Sequence, residues 1–221
     1  MERVLVIGAS GGIGAAVAAH LAARGAEVTG LSRSRDGLDL TDPAAVDRVL
    51  GGVDGPFDGI FIATGGLEIA GHGPEKALRQ ISAEAFAAQF ALNVTGPALI
   101  LRHAPRLLPR DRRVWVAALS ARVGSIGDNG SGGWYGYRAA KAALNQILHT
   151  AAIELGRTHR QSICVALHPG TVRTELTADY RGNHPAVAPA ESAANLIGVI
   201  DGLTPDDSGG FFDWAGTRVP W

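Results

Sequence analysis

The sequence predicts an α/β fold, a doubly wound parallel sheet with helices on both faces. Three observations predict it. Short β-rich runs alternate with segments of helical length along the whole chain. The runs are almost wholly apolar, as strands covered on both faces must be. Glycines, 30 of 221 residues and about twice the usual ~7% share, gather where those runs end.

The elements follow in order. RVLVI (3–7) precedes a helix over 13–24, EVTGL (27–31) a helix over 43–50, and GIFIA (59–63) a helix over 84–107. RVWVAAL (113–119) precedes a helix over 134–156, SICVAL (162–167) a helix over 189–201, and GGFFDW (209–214) ends the series. Six or seven strands joined by crossovers of helical length make one sheet, and no linker interrupts them, so a single domain over 1–221 is expected. The weakly patterned segments, 65–83 and 177–188, both follow strands, on the side where open α/β sheets bind ligands.

Lys and Arg number 20 against 21 Asp and Glu, a net charge of −1, so neither nucleic acid nor an anionic membrane is expected as a partner. A small molecule is. The single cysteine, Cys164, rules out a disulfide within the chain and reads as a buried strand thiol. No secretory pattern precedes the first strand and no apolar run reaches the ~20 residues a bilayer needs, so a cytoplasmic protein is expected. Histidines 20, 72, 103, 149, 159, 168 and 184 lack metal-ligand spacing, and no metal is expected.

GASGGIG (8–14) joins the first strand to the first helix. Glycines in such a turn let the backbone approach a pyrophosphate, whose charge is met by the amides of the helix N-terminus. Gly8, Ser10, Gly11, Gly12, Ile13 and Gly14 are therefore candidate dinucleotide ligands, although the spacing is not Gly-x-Gly-x-x-Gly. GASGG also satisfies the Gly-x-Ser-x-Gly elbow of hydrolases. That alternative has no strand upstream for an oxyanion loop, and His168 is the one histidine to nominate as its base.

The end of the second strand bears on the choice of dinucleotide. It reads Leu31-Ser32-Arg33, with no acid to take a ribose 2′-hydroxyl, whereas Arg33 can fork onto a 2′-phosphate. NADP is favoured over NAD, with Ser32 and Arg33 as ligands and Arg35 as a helper. Asp39 and Leu40 fall where the adenine ring would end. Tyr137 and Lys141 stand at i and i+4, stacking a phenol and an ammonium on one helix face, a pair suited to proton transfer. Their companions come in order: Asn93-Val94-Thr95-Gly96, Ser120 at a strand end, and Pro169-Gly170-Thr171-Val172-Arg173-Thr174.

With these residues the sequence resembles the short-chain dehydrogenase/reductase family over essentially its full length. SARVGSIGDN (120–129), GGWYGYRAAKAALNQ (132–146) and SGGFFDWAGTRVPW (208–221) are most similar to the C-factor-like (C-signal-like) carbonyl reductase branch. The resemblance implies a Rossmann-type sheet of about seven strands, a nicotinamide cofactor and a catalytic Asn-Ser-Tyr-Lys set. Tyr137 would give a proton to a carbonyl oxygen while hydride arrives from the nicotinamide. Lys141 would hold the nicotinamide ribose and lower the Tyr137 pKa, Asn93 would hold a relay water, and Ser120 would bond the substrate oxygen. Ala63, Thr64 and Gly65 would floor the adenine ribose; Pro169, Gly170, Thr171, Val172 and Thr174 would hold the carboxamide end.

The sequence departs from the family pattern in three places. The serine slot counted back from Gly124 holds Ala121, leaving Ser120 or Ser125 to fill the role. Ala63-Thr64-Gly65-Gly66 replaces an Asn-Asn-Ala-Gly stretch. Tyr135 has Ala139, not lysine, at i+4. Trp134, Trp214 and Trp221 suit a pocket, a subunit contact or plain packing. The reading is an NADP(H)-dependent oxidoreductase of a small or medium ketone, aldehyde or alcohol, with a short lid over Leu176–Val187. Helices 84–107 and 134–156 resemble those of family dimers and tetramers, so a homodimer or homotetramer is expected. The alternative is a low-turnover dinucleotide-binding signalling protein of the C-signal type.

Overall fold

Six strands form one parallel sheet in the order β2-β1-β3-β4-β5-β6 in a computed structural model that describes residues 1–177 and 185–221. The strands are β1 (Arg3–Ile7), β2 (Glu27–Leu31), β3 (Gly59–Ile62), β4 (Val114–Leu119), β5 (Ser162–His168) and β6 (Phe211–Asp213). The helices are α1 (Gly12–Ala23), α2 (Arg33–Asp36), α3 (Pro43–Gly51), α4 (Ala83–Phe90), α5 (Gly96–Leu107), α6 (Tyr135–Thr158) and α7 (Pro189–Gly202). His184 and most of the expected lid lie outside the described residues.

Each strand alternates its apolar side chains between two cores. In β4, Val114, Val116 and Ala118 meet Val46, Leu50, Ile100, Leu144 and Leu148 of α3, α5 and α6. Trp115, Ala117 and Leu119 face the other way, toward Val17 and Leu21 of α1 and Leu196, Ile197 and Ile200 of α7. Doubly wound packing is thus the observed architecture, and it carries every strand's C-terminal end to one edge. No helix among the described residues is long and apolar enough to cross a membrane.

The strand count is six among the described residues, not about seven. Between β2 and Leu38 the chain offers only α2, a single turn, where a crossover to a further parallel strand takes a dozen residues or so. Leu38 and Leu40 are instead buried in the core as irregular chain. The segment expected as one helix over 84–107 is two, with a π turn at Ala91–Thr95 between α4 and α5. GGFFDW contributes only Phe211–Asp213 as strand.

The glycine turn sets how closely α1 meets the sheet. A Cβ on Gly14 would stand 2.1 Å from the Gly8 carbonyl oxygen, whereas one on Gly198 in α7 would meet nothing within 4 Å. Gly14→Ala is expected to destabilise by about 1–3 kcal/mol, as overpacking does. Gly198→Ala should stabilise by about 0.5–1 kcal/mol through helix propensity. Thermal unfolding of the two variants beside the parent protein checks both signs.

Candidate active site

The turn after β1 is held from both sides. Gly8 has φ +87°, and its amide donates to the Leu31 carbonyl at the end of β2 over 2.8 Å. Gly11, the residue capping α1, offers no side-chain acceptor to the first helical turn, and Ser10, Gly11 and Gly12 are exposed beside half-buried Ile13. A Cβ on Gly12 would lie 2.7 Å from Thr174 Cγ2, so the segment after β5 closes on the same turn. Across it, a Cβ on Gly8 would lie 2.9 Å from the Ala63 carbonyl oxygen, and the neighbouring Thr64 Oγ1 is buried without a partner among the described residues. A bare helix N-terminus, a cradle that side chains would fill and an orphaned hydroxyl fit a dinucleotide pyrophosphate and ribose. The elbow alternative fares poorly: β3 and β4 separate β1 from β5, the strand that ends in His168, by about 14 Å at ~4.8 Å per strand.

At the end of β2, folding brings an acid that Leu31-Ser32-Arg33 does not contain. The Asp36 carboxylate accepts from the Ser32 amide (2.7 Å) and hydroxyl (3.3 Å), while Ser32 Oγ accepts from the Arg35 amide (3.3 Å). Asp36 is therefore engaged within its own turn, and Arg33 stands exposed with no ion pair among the described residues. The Asp39 carboxyl is held below its ordinary pKa by the Thr41 hydroxyl and amide, with the Arg33 charge adding to them. Leu40 is turned into the core against Gly96.

The proton-transfer candidates converge on Gly65. A Cβ there would stand 2.8 Å from Asn93 Oδ1 and 3.3 Å from Lys141 Nζ. Lys141, 3% exposed, donates to the Leu119 carbonyl at the end of β4 (3.0 Å) and lies 5.6 Å from the centroid of the Tyr137 ring. Burial raises the Tyr137 pKa above the usual phenol value and lowers that of Lys141 to about 8. Tyr137 is thereby kept neutral, a donor rather than a base, and Lys141 remains mostly charged at neutral pH. Asn93 sits in the π turn, a feature often found at functional sites. Its amide group accepts from the Gly66 amide (3.2 Å) and donates to the Gly66 carbonyl (3.0 Å) and to Gln89 Oε1 (2.8 Å). Gln89 in turn donates to the Leu67 carbonyl (2.8 Å). Both N–H donors of Asn93 are thus engaged, and its side chain fixes the floor beneath Lys141. Gln89 escaped the sequence reading, though its i−4 spacing from Asn93 was the available signal.

The serines do not join this group. Ser120 Oγ donates to Asn145 Oδ1 of α6 over 2.6 Å, and buried Ser125 accepts from the Asp128 amide (3.1 Å). Strand parity explains Ser120, which continues the side of β4 that faces α6. Ala121 is half buried, and Gly124 packs on Lys141. His168 is held neutral, its pKa pushed down to about 4 chiefly by burial, and its Nδ1 lacks a partner. Beyond it, half-buried Pro169 leads to Gly170 at φ +72°, where Trp214 packs. Thr171 and Val172 pair with Val187. Trp221 stacks on Phe211 and meets His149 edge to face. Trp134 meets Tyr137 edge to face at 6.2 Å. No group of metal-binding side chains occurs among the described residues.

Comparison with known proteins matches residues 8–207 to a family described as Enoyl-(Acyl carrier protein) reductase. The 1-hydroxy-2-glutathionyl-2-methyl-3-butene dehydrogenase of Rhodococcus sp. strain AD45 is 31% identical over 236 residues, spanning all of both chains. The C-signal of Myxococcus xanthus is 38% identical over 149 residues, 66% of this chain and 84% of that one. Among solved structures, a short-chain dehydrogenase/reductase of Burkholderia multivorans with bound NADP has a TM-score of 0.78 at 26% identity, covering 100% and 99% of the two chains. The NADPH-bound carbonyl reductase from chicken fatty liver reaches 0.86 at 22% identity with the same coverage, which speaks to the fold.

The buried ammonium has a measurable cost. Lys141 falls from 10.5 to about 8 on folding, so the unfolded chain binds its proton more tightly and stability should rise as pH climbs from 8 toward 10.5. The difference in unfolding free energy between the cofactor-free parent and Lys141→Met should change over that window by about 2–3 kcal/mol. Denaturant unfolding at pH 8 and 10.5 checks it; a pH-independent difference would contradict the assignment.

Proposed function

Because the chain belongs to the short-chain dehydrogenase/reductase family, we propose that this oxidoreductase interconverts a small or medium carbonyl compound and its alcohol with NADP(H), using Tyr137 as the proton donor. The observation that carries the reading is the approach of Asn93 and Lys141 to Gly65, with the Tyr137 ring centroid 5.6 Å from the Lys141 ammonium. A bound nicotinamide dinucleotide supplies the hydride. Tyr137, neutral through burial, gives its hydroxyl proton to the carbonyl oxygen, and Lys141 balances the phenolate charge that develops. Lys141 also stands where it can hold ribose hydroxyls, with Asn93 and Gln89 keeping Gly66 and Leu67 in place beneath it. Ser120 reaches a substrate oxygen only by leaving Asn145, so most of the substrate's orientation falls to Tyr137 and the cofactor.

Arg33, exposed and unpaired, supports NADP over NAD, as does the bound NADP named for the Burkholderia multivorans relative. Exposed Ile153 on α6 suits a homodimer or homotetramer built on the α5 and α6 faces, and a cytoplasmic setting suits the single buried thiol. A second reading, a low-turnover dinucleotide-binding signalling protein, is favoured by Ala121 in the serine slot and by the likeness to the C-signal.

Tyr137→Phe should lower NADPH-dependent carbonyl reduction by about 10²–10⁴-fold while leaving NADPH binding, read by nicotinamide fluorescence, unchanged. Retained turnover would refute the role. In the same titration the parent should bind NADPH more tightly than NADH, and Arg33→Ala should narrow the gap by about tenfold. Equal affinities in the parent would overturn the preference for NADP.

A further inference from the structure

Glu75 is a carboxylate only 6% exposed, on the connection between β3 and α4, and no step above uses it. It faces the start of α6, two residues from Tyr137. Its main-chain carbonyl accepts the Trp134 amide (2.5 Å), and its carboxylate Oε2 accepts the Gly136 amide (3.0 Å). One residue thus satisfies two amides at the N-terminus of a 24-residue helix.

The helix has need of it. Long helices begin with unpaired amides, usually met by a Ser, Thr, Asp or Asn at the cap. Here the cap residue is Trp134, which makes no side-chain cap bond and lies in the left-handed region at φ 55°. Gly132 and Gly133 before it also have positive φ. A tryptophan keeps such a backbone only where its surroundings determine it, and such strain gathers at functional sites. The bond from its amide to Glu75 is one such determinant, and the edge-to-face contact with Tyr137 passes the placement on.

Gly136 completes the fit. A Cβ there would stand 2.9 Å from Glu75 Oε1 and 3.5 Å from Gln89 Cγ, so the carboxylate sits in space that only glycine leaves open. The other end of the same connection is bound by Asn93 and Gln89 at Gly66 and Leu67. The connection therefore braces the π turn against α6.

We propose that Glu75 is a positioning residue for proton transfer: its carboxylate caps α6 from across the fold and sets where the Tyr137 hydroxyl stands relative to Lys141. The proposal rests on the reading of Tyr137 as proton donor. It assigns Glu75 no contact with substrate or cofactor.

The test compares Glu75→Ala, Glu75→Gln and Gly136→Ala with the parent. The readouts are amide hydrogen exchange over 134–138, NADPH affinity by fluorescence, and kcat and KM for NADPH-dependent reduction of 4-nitrobenzaldehyde. For Glu75→Ala, exchange should quicken at least tenfold and kcat fall by about 10–100-fold, the scale of a small misplacement of a reacting group. KM and NADPH affinity should stay within about threefold, and Glu75→Gln, whose amide oxygen can still accept from Gly136, should recover most of kcat. Gly136→Ala should also lower kcat, although alanine is the better helix former, and it serves if Glu75→Ala does not fold. Unchanged exchange and kcat in Glu75→Ala would overturn the proposal, as would a loss of NADPH affinity equal to the loss of kcat. A parent that binds NADPH but turns over no carbonyl would defeat the functional reading instead, and the exchange data alone would then decide whether Glu75 caps α6.

Discussion

A lysine ammonium held in the interior at the C-terminal edge of a parallel sheet is an awkward group for a fold to carry. Lys141 is charged for much of its time at neutral pH, and removing an ion from water costs several kcal/mol unless dipoles replace the hydration. The arrangement of this edge follows from that constraint. The Leu119 carbonyl at the end of β4 accepts from it, Gly65 has no side chain to crowd it, Gly124 has none to crowd the main chain and Cβ of Lys141, and the Tyr137 ring centroid lies 5.6 Å away. A Cβ on Gly65 would stand 3.3 Å from the ammonium nitrogen, and one on Gly124 would stand 2.8 Å from the Lys141 Cβ.

Around this ion lie two sets of hydrogen bonds, one on each side. Asn93 and Gln89 fasten the start of the connection after β3, and Glu75 fastens its far end to α6. Ser120 and Asn145 pin the end of β4 to the same helix one turn below Lys141. These polar groups are buried and mostly satisfied, so they specify one geometry for α6 more sharply than apolar contacts could. The Tyr137 end of α6 is thus tied down by bonds reaching the helix from β4 and from the connection after β3.

The edge around the glycine turn is built differently, from absence of side chains. Gly8, Gly12 and Gly14 bring β1, α1 and the segment after β5 so close that no Cβ fits between them. Carboxylates nearby are engaged elsewhere, Asp36 on Ser32 and Asp39 on Thr41, and Arg33 is left facing out. The turn presents amides and a guanidinium to solvent, both suited to phosphate.

Much of this was legible in the sequence because it is written in short-range periodicity. The alternation of strands and helices, the glycine turn and the i, i+4 pairing of Tyr137 with Lys141 all follow from local geometry of the chain. So does the resemblance that ordered Asn93, Ser120 and Pro169-Gly170 along it. What escaped depends on contacts between distant segments or on direction. Among the described residues there are six strands rather than about seven, Leu38 and Leu40 running as irregular core chain after the one-turn α2, and the break at Ala91–Thr95 is a hydrogen-bond shift that apolar spacing does not report. Ser120 faces Asn145 because of its parity on β4, which a motif count ignores. Glu75 meets Gly136 across 61 positions, and no pattern in either segment announces it. By itself the sequence determined the fold class, the place of the glycine turn and the phenol–ammonium pair, since each is a property of neighbouring residues. Only the tertiary structure decided which buried polar groups face one another, because hydrogen bonds between remote segments exist only once the chain has brought them together.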